Sequence, residues 1–283
     1  MSKDLTLNEV ADRLGVHYMT AYRYVRLGQL PARKVGTSWK VAAADFSSFQ
    51  QEKVSESSPG LSRSSSNWAA RLESRLVEGD QAGAWGVIEA AMTAGTEPLA
   101  VYTELVIPAM ESIGERWGNG ELSVADEHVA SAAAARLIGR LGPRFARRGR
   151  KRGTVVVAGP PGERHGLGLS MVADALRGDG YEVIDLGPDT PLESLVSTLE
   201  RSQRLRGVCI GVSSSGSLES ARAMVAAVRA ALPENVAILV GGRAVAETDA
   251  AAALGADGTA TVGTVGEVLE SLANPEDGRA GSA

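Results

Sequence analysis

Apolar positions change their spacing twice along the chain, and the changes divide it. Up to about residue 53 they fit short helices and a hairpin. Val10, Ala11 and Leu14 form one face of a helix that Thr6-Leu7-Asn8-Glu9 opens as a capping box and Gly15 stops. A second helix runs to Leu27 with Gly28 as its stop, so the pair reads as a helix-turn-helix. With Ala21, Tyr24 and Val25 facing inward, this helix exposes Tyr18, Met19, Thr20, Tyr22, Arg23 and Arg26. Alternating residues around Gly36-Thr37-Ser38 then predict a two-stranded wing carrying Arg33, Lys34 and Lys40.

Residues 54–67 show no apolar period, and seven serines with Pro59 and Gly60 predict a flexible tether. From 68 to 150 the spacing becomes helical, first through Leu72, Leu76, Trp85, Ile88 and Met92. It continues through Leu99, Tyr102, Val106, Met110 and Ile113, then Ala130, Ala133, Ala134, Leu137 and Leu141. Four helices with short connections predict a four-helix bundle. Across 151–275 short apolar runs at 154–158, 182–186, 207–212, 237–240 and 258–262 alternate with helical patterns. Those helices fall at 167–176, 192–199, 218–232, 246–254 and 265–272. The fold class is therefore multidomain α and α/β, ending in a flavodoxin-like (Rossmann-type) parallel five-stranded sheet of order 2-1-3-4-5. Residues 276–283 read as a disordered tail.

Composition narrows the setting. At 283 residues and 44% hydrophobic, the chain can fill several cores. No run approaches the length of about 18 apolar residues that a membrane span needs, and Met1-Ser2-Lys3-Asp4 opens no signal peptide, so a cytoplasmic location is expected. The single cysteine, Cys209, lies in an apolar run and reads as core. Net charge is -5, yet residues 1–53 hold eight Lys/Arg against five acids, a local +3 that suits double-stranded DNA as partner. Tyr18, Thr20, Tyr22, Arg23, Arg26, Arg33, Lys34 and Lys40 are the residues suited to phosphate and base-edge contacts. Residues 144–152 hold six more cations and read as a solvated connector, with nucleic-acid contact as the alternative.

The candidate chemistry gathers at strand ends, where open α/β sheets bind ligands. Glu163-Arg164-His165-Gly166-Leu167-Gly168 follows the first strand and opens a helix. A neutral imidazole there can coordinate a metal, and a carboxylate two residues earlier can hold its other nitrogen. Gly166 and Gly168 leave room for a bulky group. Ser213-Ser214-Ser215-Gly216 can donate to a ligand nitrogen, and Gly241-Gly242 permits close approach of a flat ring. Trp117 ends a helix at a glycine-rich turn, and Glu127-His128 sits early in the next. The three either line a pocket or are a packed Trp beside solvated polar residues. No phosphate loop or nucleophilic triad is present, and no catalytic turnover is expected.

Several of these motifs carry a resemblance. Glu163-x-His165-x-x-Gly168, then the Ser213–Ser215 loop and Gly241-Gly242, resembles the signature of cobalamin-binding domains. That resemblance implies His165 as lower cobalt ligand, with Ser213, Ser215, Gly241 and Gly242 lining the slot for the nucleotide tail. Ser215 stands where leucine is usual. Trp117, nine residues, then Glu127-His128 resembles the helical cap of light-sensing, adenosylcobalamin-dependent CarH-type repressors, which implies that all three line the upper-ligand pocket. CarH-type proteins typically place a histidine directly after this Trp, where this chain has Gly118, and only His17, His128 and His165 are available. The stretch 14–41 resembles the excisionase-like, winged members of the MerR superfamily. Taken together, the resemblance implies a cobalamin-dependent transcription regulator that uses adenosylcobalamin to sense light and control a homo-oligomer (dimer or tetramer). The alternatives are a light-independent regulator responding to methyl- or hydroxocobalamin or to redox state, and a corrinoid carrier of a methyltransferase.

Overall fold

The computed structural model describes residues 5–14, 25, 30–35, 38–42, 45–46, 62–233, 235–246 and 250–273. Two compact units make up the chain, Met1–Ser64 and Ser65–Ala283.

In the first unit, strand β1 (Leu5–Thr6) leads into helix α1 (Leu7–Leu14), and β2 (Arg33–Val35) and β3 (Ser38–Val41) form the predicted wing. The capping box forms: Thr6 N donates to Glu9 Oε2 at 2.7 Å and Glu9 N to Thr6 Oγ1 at 3.3 Å. β1 adds a third antiparallel strand, with Leu5 opposite Val41, which the pattern analysis missed because two residues carry no period. Leu5, Leu7, Val10, Leu30, Val41 and Phe46 close a small core. The second helix of the predicted helix-turn-helix lies outside the described residues except Val25, which is helical.

The second unit opens with the bundle. Helix α2 spans Ser62–Val77 and α3 spans Gln81–Thr93. Helix α4 is built of Pro98–Ala100, a π-helical stretch Val101–Val106, and Ile107–Gly118; α5 spans Val124–Leu141. α2 thus begins inside the stretch read as a tether, with residues 62–67 forming its first turns ahead of Trp68. Leu72, Leu76, Ile88, Tyr102, Val106, Ile113 and Leu141 are fully buried as their spacing predicts, whereas Leu99 is exposed. The π-helical stretch begins two residues after Leu99 and resets the helical phase, so it is Val101, Tyr102, Leu105 and Val106 that face inward.

The α/β part follows in the order β4 (Thr154–Ala158), α6 (Leu167–Gly178), β5 (Glu182–Gly187), α7 (Leu192–Arg201), β6 (Leu205–Gly211), α8 (Leu218–Ala231), β7 (Ala237–Gly241), α9 (Ala250–Leu254), β8 (Gly258–Thr259) and α10 (Val265–Ala273). The parallel sheet runs β5-β4-β6-β7-β8, the predicted 2-1-3-4-5 order. β8 is shorter than expected and pairs β7 only through Leu239–Gly258 and Val240–Thr259.

Side chains of β4 alternate between two cores. Val155 and Val157 join a core shared with the bundle, while Val156 and Ala158 pack against α7 and α8 through Leu195, Met224 and Val228. Cys209 is buried in the shared core, and burial pushes its thiol up to about 12, so it is a packing residue. Bundle and sheet therefore form one body. A buried polar tie crosses the shared core: Tyr102 Oη donates to Asp174 Oδ2 at 2.7 Å, and Arg177 Nη1 holds the other carboxylate oxygen at 2.9 Å. Desolvation, reinforced by the Asp174 contact, raises the Tyr102 phenol and keeps it protonated as donor.

Candidate cofactor site

Residues 159–166, between β4 and α6, carry Glu163 and His165 to the carboxyl edge of the sheet. Glu163 is 0% exposed and nevertheless ionised. Burial is the largest influence on its carboxyl and opposes the charge. The amides of Ser214 and His165, the His165 ring and the Ser213 amide together overcome it and lower the pKa. The four bonds divide evenly. Oε1 accepts from His165 N at 3.0 Å and from Nδ1 at 2.5 Å, while Oε2 accepts from Ser213 N at 2.8 Å and Ser214 N at 2.9 Å.

An ionised carboxylate can only accept, so Nδ1 carries the proton and, in the neutral ring, Nε2 keeps its lone pair. The His165 side chain is 62% exposed, so its free nitrogen is accessible. One face of the residue is fixed and the other is offered. This donor set fits a metal that needs one protein imidazole, as the cobalt of cobalamin does, with Glu163 as the partner that orients it.

The two glycine motifs serve the chain differently. Gly166 lies against Pro188, with 3.3 Å between its ring and the position a Cβ would take, whereas nothing lies within 4 Å of the equivalent position at Gly168. Gly168 therefore leaves open space in the first turn of α6. Gly242 has φ +107°, and a Cβ there would stand 2.5 Å from the Val212 carbonyl oxygen; a Cβ on Gly241 would collide with the Ala260 carbonyl. Gly242 lets its backbone pass that of Val212, and Gly241 lets its own pass that of Ala260. Ser213 contributes its amide to Glu163, a role the sequence did not signal, and Ser215 is exposed at the start of the short helical turn Ser215–Ser217.

Trp117, in the last turn of α4, and Glu127 and His128, early in α5, lie at one bundle end on either side of the turn 119–123. Ser123 caps α5 and forms a capping box with Asp126, which fixes where the helix starts and so where the next two residues project. Trp117 is 47% exposed and the His128 side chain 73%, so neither is a packed core residue. Glu127 is half-buried, with Oε1 accepting from Ser131 Oγ at 2.6 Å. Helix α5 runs in the same direction as α6: Ala135 and Ile138 share a groove with Leu167 and Ser170, and Gly142 abuts the Asp174 carboxylate. His128, seven residues before Ala135, consequently stands about 10 Å beyond the start of α6, on the His165 side. The structure brings the cap residues and the loop residues to the same edge of one body.

Of the expected DNA contacts, Tyr18, Thr20, Tyr22, Arg23 and Arg26 lie outside the described residues. Arg33 and Lys40 are cross-strand neighbours on one face of the wing, and Lys34 is exposed opposite Trp39 on the other.

Comparison with known proteins gives matches in all three parts. Residues 5–54 match a family described as Helix-turn-helix domain, and residues 68–141 and 153–273 match two families each described as B12 binding domain. The HTH-type transcriptional repressor CarH of Myxococcus xanthus is 36% identical over 154 residues, covering 53% of this chain and 50% of that protein. Trimethylamine corrinoid protein 2 of Methanosarcina mazei is 30% identical over 136 residues, covering 46% of this chain and 62% of that one. The chain thus spans less than two thirds of these relatives' length. Among solved structures, the Methanosarcina barkeri monomethylamine corrinoid protein superposes with a TM-score of 0.64 at 19% identity, covering 72% of this chain and 98% of that chain, which shows the fold.

Proposed function

We propose that this chain, CarH-like and carrying a helix-turn-helix domain ahead of its B12-binding domains, is a cobalamin-dependent transcription regulator acting in the cytoplasm. The observation that carries this reading is the buried, ionised Glu163 holding Nδ1 of an otherwise accessible His165. His165 would hold the cobalt through Nε2, Glu163 would fix the tautomer of that imidazole, and Trp117, Glu127 and His128 would line the pocket on the bundle side. Gly168 would leave room for the bulk of the cofactor, and Ser213, Ser215, Gly241 and Gly242 would border its nucleotide tail.

Adenosylcobalamin would supply a cobalt that takes the imidazole and a cobalt–carbon bond that light can break. The chain's part is to bind it, exclude water with Trp117, and report its presence through assembly. Differential contact at Trp117 supplies the free energy that shifts a homo-oligomer, dimer or tetramer, between states that grip double-stranded DNA differently. Arg33, Lys34 and Lys40 of the wing, with Tyr18, Thr20, Tyr22, Arg23 and Arg26, make the DNA contacts.

Gly118 favours a second reading of the signal. It places no imidazole after Trp117, and no neighbouring group lies within 4 Å of the position a Cβ would take there. A regulator that senses methyl- or hydroxocobalamin, or redox state, needs no residue there.

The test is sizing chromatography and duplex-DNA binding of the cobalamin-loaded chain, in the dark and after green light. A light-dependent change in both supports the photoreceptor. Cobalamin-dependent DNA binding that ignores light supports the second reading, and DNA binding indifferent to cobalamin contradicts regulation altogether.

A further inference from the structure

A second charged feature lies at the opposite edge of the sheet from His165. Residues 144–152 read Arg-Phe-Ala-Arg-Arg-Gly-Arg-Lys-Arg, six cations and no acid in a chain whose net charge is -5. They enter β4 at Thr154, the amino end of the strand whose carboxyl end carries the cofactor loop. Five residues of strand, about 16 Å, separate the two edges.

This stretch is anchored at both ends. Phe145 is buried and stacks on Tyr102, with ring centroids 5.0 Å apart. At the far end Arg152 pairs with Glu270, its guanidinium lies 5.2 Å from the centre of the Tyr181 ring, and its amide donates to Gly180 O at 3.0 Å. Between the anchors, Lys151 Nζ donates to Arg147 O at 2.7 Å and Arg204 Nη2 to Lys151 O at 2.7 Å. Arg147, Arg148 and Arg150 are exposed and form no ion pair among the described residues. With Lys151, Arg152, Asp179 and Gly180 they line a cavity of about 390 Å³.

Arginine heads held on a braced loop make a site for an anion with several phosphates. The lining offers no apolar or aromatic slot for a nucleobase, which disfavours a free nucleotide and favours a phosphate backbone. We propose that Arg147, Arg148 and Arg150 contact the phosphate backbone of duplex DNA without reading sequence, as a second DNA contact besides the N-terminal domain. The inference rests on the DNA-binding reading above. Covalent attachment to a DNA-binding domain raises the local concentration of duplex around the loop, so a weak contact suffices. Because the loop lies at the sheet edge opposite His165, DNA there does not compete with the cofactor.

The test is binding of the full chain to a labelled mixed-sequence duplex across a series of salt concentrations. Each phosphate neutralised adds about 0.9 to the slope of log K against log salt. Replacing Arg147, Arg148 and Arg150 together by Ser is expected to lower that slope by about 2 to 3. The corresponding Lys substitutions retain it, and Arg222→Ser, an exposed cation on α8, leaves it unchanged. Unchanged thermal unfolding shows that the Ser variant is folded. A slope equal to wild type in the Ser variant, while Arg33→Ala with Lys34→Ala still weakens binding, overturns the second contact and spares the first. Absence of any DNA binding by the wild-type chain overturns both.

Discussion

Glu163 shows what one buried charge can do when every lone pair is used. Four donors converge on it, two from the His165 residue and two from the amides after β6. Glu163→Gln keeps the volume but turns an amide NH₂ toward those donors. The expected result is a loss of about 2 kcal/mol in urea unfolding of the chain. It is accompanied by a 10- to 100-fold drop in cobalamin affinity, since His165 loses the group that fixes its tautomer. Wild-type stability and affinity in this variant would show that the pair is incidental. The histidine and its carboxylate were legible from their spacing after a β-branched strand. The amides of Ser213 and Ser214 were not, because fifty residues separate them from Glu163 and any residue but proline supplies a backbone N–H. The serine side chains drew attention, and the main chain of the same loop does the work. The same holds for Gly241 and Gly242: their presence was legible as a need for close approach, and what approaches is backbone from Val212 and Ala260.

Among the elements, α5 has most to do with the site, because its first turn sets where Glu127 and His128 project. Ser123 donates its amide and its hydroxyl to Asp126 Oδ2, at 2.8 and 2.7 Å, and accepts the Asp126 amide at 3.2 Å. The Ser123 hydroxyl and then its amide lower the Asp126 carboxyl below its ordinary value. A carboxyl depressed on folding stabilises the fold fully above its unfolded pKa, about 3.9, and loses that contribution as pH falls through the lower folded value. Asp126→Asn is therefore expected to lower Tm at pH 7, with the gap from wild type narrowing below about pH 4. A gap that does not change with pH would mean that the carboxylate charge is not what caps this helix. Helix boundaries were legible where a capping box or glycines mark them, as at Thr6–Glu9 and the glycine-rich turn after Trp117, whereas the Ser123–Asp126 box was not read from the sequence. The π-helical stretch Val101–Val106 was not, because one extra residue per turn leaves no compositional trace, and Leu99 was assigned to the core for that reason. Nor was the Tyr102–Asp174 tie, since a tyrosine at an apolar helical position reads as packing until its partner, seventy-two residues away, is seen.

At the scale of the molecule, hydrophobic patterning was sufficient to predict the strand order, because five apolar runs alternating with helices admit few right-handed parallel arrangements. It could not show that bundle and sheet share one core, which is what carries Trp117, Glu127 and His128 to the edge where His165 lies. That shared core also explains how a ligand could be felt beyond its own pocket: α5 and α6 pack side by side, and each begins with residues of the proposed site. The central claim is that His165, and no group brought by the cofactor, is the lower ligand of a bound cobalamin. The most direct measurement is the electron paramagnetic resonance spectrum of the cob(II)alamin-loaded chain, with natural-abundance and with ¹⁵N-labelled histidine. The account predicts a three-line nitrogen splitting that becomes two-line on labelling and is lost with His165→Ala. A splitting indifferent to the label, with the cofactor's own base still on cobalt, would contradict it.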